Sequence, residues 1–73
     1  MLENDYAKLL IKKRRSLNMT QSEVAIKVGI SRTYYTDIEN GRSFPSGRTM
    51  LKINEVLPIF FIINDANRDY KEA

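Results

Sequence analysis

The sequence predicts an all-α fold, and three observations carry that prediction. Apolar residues recur at helical spacings along the chain. Ser and Thr residues suited to starting helices alternate with Asn and Gly suited to stopping them, and no pair of alternating strands appears. At 73 residues the chain is about half the usual length of a domain, so residues 1–73 are expected to form a single unit.

The elements follow in order. Tyr6, Leu9, Leu10 and Leu17 mark a first amphipathic helix over about residues 4–17, with Lys12 to Arg15 largely on its wet side. Asn18 tolerates the left-handed conformation and ends it. Thr20-Gln21-Ser22-Glu23 then forms a capping box: the Thr20 hydroxyl accepts from the Glu23 backbone N–H, and the Glu23 carboxylate accepts from the Thr20 N–H. Met19 and Val24 flank it as a hydrophobic staple. This second helix runs through Val24, Ala25 and Val28 to Gly29, which takes positive φ without steric cost and so stops it in a tight turn. Ser31 starts a third helix, Ile30 and Tyr35 are spaced as its staple, and Ile38 continues the inward stripe to a second stop at Asn40-Gly41.

Two short helices joined by a few residues around a glycine form a helix-turn-helix. Ala25 is small because the third helix crosses close to it. Val24, Val28, Ile30, Tyr35 and Ile38 supply the inner faces, which leaves Arg32, Thr33, Thr36 and Asp37 pointing outward. A fourth helix starts at Ser46, with Met50, Leu51, Ile53 and Leu57 expected inward. Beyond Pro58 the run Ile59-Phe60-Phe61-Ile62-Ile63 is apolar at every position. A monomer of this size has no core able to hide all five, so they are expected to form a dimer or partner interface, and residues 58–73 a tail that carries it.

Composition removes most enzyme chemistry. With no His and no Cys the chain lacks disulfides, the usual zinc ligands and the His- or Cys-based nucleophile pairs, so neither catalysis nor a metal or other cofactor is expected. Between Lys8 and Lys52 ten Lys or Arg face three acids, a net +7; outside that window two face six, a net −4. A basic window of this kind suits a polyanion. The acidic N-terminus and the seven-residue limit on apolar runs, Leu57 to Ile63, argue against a signal peptide or membrane span, so a cytoplasmic protein is expected.

The segments Met19-Thr20-Gln21-Ser22-Glu23-Val24-Ala25, Val28-Gly29-Ile30-Ser31 and Ile38-Glu39-Asn40-Gly41-Arg42 resemble the helix-turn-helix of the Cro and phage-repressor (XRE-type) family of bacterial and phage transcription regulators. The resemblance covers about residues 6–57. It implies a compact, lambda-repressor-like bundle of about five helices whose third helix lies in the DNA major groove. It also implies roles for individual residues. Ser31, Arg32, Thr33, Thr36 and Asp37 would face bases, with Arg32 suited to bidentate bonding of guanine O6 and N7 and Asp37 to accepting from cytosine N4 or orienting Arg32. Gln21, Tyr34, Asn40, Arg42 and Ser43 would touch phosphates, Gln21 also bracing the third helix, and Arg14 would pair with Glu39 inside the protein. The sequence departs from the family at Lys13 and Asn54, where apolar residues are usual, and at Pro58, which replaces a glycine. Where Lys13 and Asn54 stand, either the core is looser or the side chains find local partners.

The functional expectation is therefore a homodimeric, sequence-specific double-stranded DNA-binding regulator, a repressor of transcription. The alternative is an antitoxin that binds its own promoter and also a toxin protein through the C-terminal segment. A protein-interaction module without DNA binding is a third class.

Overall fold

The computed structural model describes residues 2–60. Four helices follow one another among them, α1 (Leu2–Ser16), α2 (Gln21–Val28), α3 (Arg32–Glu39) and α4 (Gly47–Val56), with no strand. The fold class is all-α; the described residues hold four helices where about five were expected, and residues 61–73 lie outside the description.

Local chemistry fixes each boundary. Asn18 adopts φ 58° after α1, and the Met19 N–H returns to the Arg14 carbonyl at 3.1 Å. The capping box forms in both directions: Glu23 N–H donates to Thr20 Oγ1 at 3.0 Å, and Thr20 N–H donates to Glu23 Oε1 at 2.8 Å. Gly29 takes φ 89°, which lets the N–H groups of Gly29 and Ile30 both reach the Ala25 carbonyl, at 2.8 and 3.0 Å. Ser31 and Ser46 then cap α3 and α4, accepting from Tyr34 N–H and Thr49 N–H.

Tyr6, Leu10, Val24, Ala25, Val28, Tyr35, Ile38, Ile53 and Leu57 form one apolar core. Removal of these side chains from water supplies the main cohesion of the bundle. Two expectations about the stripes need correction. Leu51 is 60% exposed, because the inward row of α4 is Met50, Ile53, Asn54 and Leu57, and position 51 falls off it. Leu9 and Leu17 are also half-exposed, whereas Ala7 is buried beside Tyr6 and Leu10.

The chain beyond α4 does not begin another helix before Phe60. Asn54 is buried and acts as its anchor: Oδ1 accepts from Ile59 N–H at 2.7 Å and Phe60 N–H at 3.0 Å, and Nδ2 donates to the Phe60 carbonyl at 3.2 Å. The polar residue that departs from the family pattern thus has local partners. Ile59 packs against the core, and Phe60 stacks on Tyr6 with ring centroids 5.9 Å apart.

Candidate nucleic-acid interface

The third helix is divided sharply between its two sides. Tyr35, Ile38 and Glu39 are buried, Arg32 and Thr33 are exposed, and Tyr34, Thr36 and Asp37 lie between. Ser31 opens this surface. Its oxygen accepts from Tyr34 N–H at 3.0 Å, so its own O–H stays available to donate. Arg32 and Thr33 follow on the first turn, clear of the core.

Behind that surface a polar network joins three helices through one carboxylate. Arg14 of α1 donates from Nε to Glu39 Oε2 at 2.7 Å and from Nη2 to Oε1 at 3.1 Å. Gln21 of α2 donates to Glu39 Oε1 at 2.9 Å, and its own carbonyl oxygen accepts from the Thr36 hydroxyl at 3.1 Å. The remaining Arg14 nitrogen donates to the Met19 carbonyl at 3.0 Å. The pair is secluded, with the Arg14 side chain 12% exposed and that of Glu39 2%. Forked, charge-assisted bonding of this kind is directional as well as strong.

Burial opposes the charge on Glu39, but the bonds from Arg14 and then the Gln21 amide outweigh it and hold the carboxyl below its ordinary value. Arg14 is held protonated by the same bond to Glu39, against the cost of its own burial. The Tyr35 hydroxyl is buried beside them with no hydrogen-bond partner among the described residues. Burial first, and then the neighbouring carboxylate, push its pKa far above the usual tyrosine value. Burial, with a smaller contribution from Tyr34, pushes Tyr6 up to about 12.

The segment after α3 carries the second group of candidates. Asn40 and Arg42 are exposed and Ser43 is half-buried. Arg42 Nη1 lies 3.7 Å from Asp37 Oδ1, and the Asp37 carbonyl accepts from the N–H groups of Arg42 and Ser43 at 2.8 and 3.3 Å. Ser31, Arg32 and Thr33 therefore gather at one end of α3, and Asp37, Asn40 and Arg42 at the other. Three candidates are engaged within the bundle: Tyr34 packs against the core, the Thr36 hydroxyl is spent on Gln21, and the Gln21 amide bonds both Thr36 and Glu39. Of the apolar candidates after Pro58, Ile59 and Phe60 lie against the bundle as described, and Phe61, Ile62 and Ile63 lie outside the described residues.

Sequence reasoning missed Phe44, which follows Arg42 and Ser43 and is half-exposed with its ring edge-on to Tyr6 at 5.6 Å. A lone aromatic in a short loop carries no periodic signal. It also missed the bond from Thr36 to Gln21, between residues far apart in sequence. Among the described residues no cluster of carboxylates could hold a metal ion, and no helix is long and apolar enough to cross a membrane.

A helix-turn-helix family model matches residues 10–59. The chain is 46% identical over 54 residues to the ImmF control region 10 kDa protein of Bacillus phage phi105, spanning 73% of this chain and 60% of that protein. It is 36% identical over 50 residues to the cryptic phage CTXphi transcriptional repressor RstR of Vibrio cholerae, spanning 68% of this chain and 45% of that one. The chain thus spans less than two thirds of these two relatives. Similarity to the uncharacterized HTH-type transcriptional regulator YqaF of Bacillus subtilis, 40% over 72 residues, takes in 90% of this chain and 95% of its relative. No solved structure matches the chain. The family match begins at Leu10 in α1 and runs past α4 to Ile59, enclosing the two helices that meet at Gly29; the chain belongs to the helix-turn-helix family, of the Cro and phage-repressor type.

Proposed function

We propose that the protein is a sequence-specific double-stranded DNA-binding transcription regulator, a repressor that occupies its operator as a homodimer. The observation that carries this reading is the division of α3: an exposed first turn of Ser31, Arg32 and Thr33, with the opposite side locked by Arg14, Gln21 and Glu39. A side chain reads a base edge only if its backbone is held to within a fraction of an ångström, and the network supplies that rigidity. Arg32 pairs with a guanine edge in this reading. Thr33 and the Thr36 methyl meet thymine methyls or the groove wall, and Gln21, Tyr34, Asn40, Arg42 and Ser43 lie toward phosphates. Dimerisation through Ile59 to Ile63 would place two copies of α3 about 34 Å apart on one side of the duplex.

Selection of duplexes from a random pool with the purified chain, followed by footprinting, tests the proposal. The expected outcome is a near-palindromic site protected as two half-sites about one helical turn apart. Failure to enrich any sequence at low salt would overturn it.

A further inference from the structure

An acidic residue occupies the surface of α3 that the proposed function turns toward DNA, and this needs a physical account. Asp37 lies four residues after Thr33 and therefore on the same side of the helix. It also falls in the last turn of α3, where the helix dipole already disfavours an anion. Glu39, the other acid of that turn, is satisfied by Arg14 and Gln21. Among the described residues Asp37 has one cationic partner, Arg42, and the contact is loose: 3.7 Å, with the Arg42 side chain 74% exposed. The backbone keeps the two together, because the Asp37 carbonyl binds the N–H groups of Arg42 and Ser43.

We infer that Asp37 is a specificity-determining residue that couples base reading to phosphate grip through Arg42, an inference that rests on the DNA-binding reading above. Two acceptors compete for one guanidinium. When a DNA phosphate takes Arg42, the Asp37 carboxylate is left without a cation beside a polyanion, unless the base edge facing it offers a donor. In the major groove that donor is the exocyclic amine of cytosine or adenine. On a matching site Asp37 accepts from the amine and Arg42 is released to the phosphate, so both contacts form together. On a mismatched site either Arg42 stays with Asp37 and the phosphate contact is lost, or Asp37 stands unpaired. Discrimination thus comes from a penalty on wrong sequences as well as from a bond to the right one.

Gel retardation on the selected operator and on a random duplex of equal length, with wild type, Asp37→Asn, Arg42→Ala and the double variant, tests this. Asp37→Asn should tighten binding to random duplex by about threefold to tenfold per dimer, the effect of two weak surface ion pairs. Operator binding should not gain in proportion, so the ratio of specific to random affinity falls. The slope of log K against log salt on random duplex should steepen by about one per subunit as Arg42 joins the phosphate contacts. In the Arg42→Ala background the steepening of the slope should vanish and the gain should shrink, leaving only the relief of the Asp37 charge beside the phosphates. Asp37→Ser, which removes the charge without adding an amide, should behave as Asp37→Asn does. Unchanged random affinity in both Asp37 variants, or an equal gain with and without Arg42, overturns the coupling. A wild type that retards no duplex overturns the DNA-binding reading, and this inference with it.

Discussion

Glu39 shows at the scale of one residue how a charge can be kept inside a protein of 73 residues. Arg14→Met would leave its carboxylate buried without a cation and should cost about 3–5 kcal/mol in urea denaturation. The acid response has a definite sign. The folded carboxyl sits below its ordinary value of 4.5, so the stability from this pair is complete above 4.5 and is lost as pH falls through the folded pKa; the unfolded chain takes up the proton first. Glu39→Gln should remove that part of the acid limb, which urea midpoints across acid pH will measure. Tyr35 has the opposite sign. With its hydroxyl held neutral well above the ordinary 10.0, its contribution is present below 10.0 and falls as pH rises beyond it, and Tyr6 acts in the same direction. Because that hydroxyl has no partner among the described residues, Tyr35→Phe should cost less than about 1 kcal/mol and should flatten the alkaline limb in thermal melts. On the exposed side, Arg32→Ala should lose about 1–3 kcal/mol on the operator while leaving random duplex nearly unaffected, as retardation of both duplexes will show.

Among the elements, two glycines separate backbone freedom from space. A Cβ at Gly29 would meet nothing within 4 Å, yet the residue sits at φ 89°; Gly29→Ala should therefore destabilise by about 1–2 kcal/mol through backbone strain alone. Gly47 is equally open and has no positive φ, so Gly47→Ala at the first turn of α4 should stabilise by about 0.4–1 kcal/mol. Differential scanning calorimetry of both variants distinguishes the two cases. The same locality explains which elements were legible in sequence. The Thr20 box, the Gly29 stop and the Ser31 and Ser46 caps are decided within four residues, so reading them needed no knowledge of the rest. Leu51 was misplaced because its neighbours Met50 and Ile53 set the row and tertiary packing chose between two adjacent stripes. Asn54 was legible only as a departure, since its partners, Ile59 and Phe60, join it by a turn that no period announces.

For the whole molecule, the proposed homodimer requires a contact between copies. Ile59 and Phe60 are tied to the bundle by Asn54 and Tyr6, so truncation at Leu57 or a charge at Phe60 would disturb the monomer as well as any contact between copies. Ile62→Asp is the cleaner probe. Wild type should sediment as a dimer at tens of micromolar, and Ile62→Asp as a folded monomer that binds a palindromic operator far more weakly. Sedimentation velocity with circular dichroism of the variant will show which holds. At this scale the sequence conveyed excess apolar surface but not its apportionment. Leu9, Leu17, Ile26, Phe44 and Leu51 are also exposed, so the run after Pro58 is not the sole surplus.

The forked bond from Arg14 to Glu39 has a mechanical meaning. Apolar contacts alone leave a helix some freedom to roll about its own axis, because methyl groups slide past one another at little cost. At the outer radius of a helix, a roll of about 10° carries a side-chain tip sideways by about 1 Å. That displacement exceeds the spread of about half an ångström over which a hydrogen bond to a base retains good length. Two bonds from a rigid guanidinium on one helix, joined by one from Gln21 on another, resist such a roll. In this chain the aim of the third helix is set by the angles of polar bonds, and the oily core beneath serves as the bearing on which it would otherwise turn.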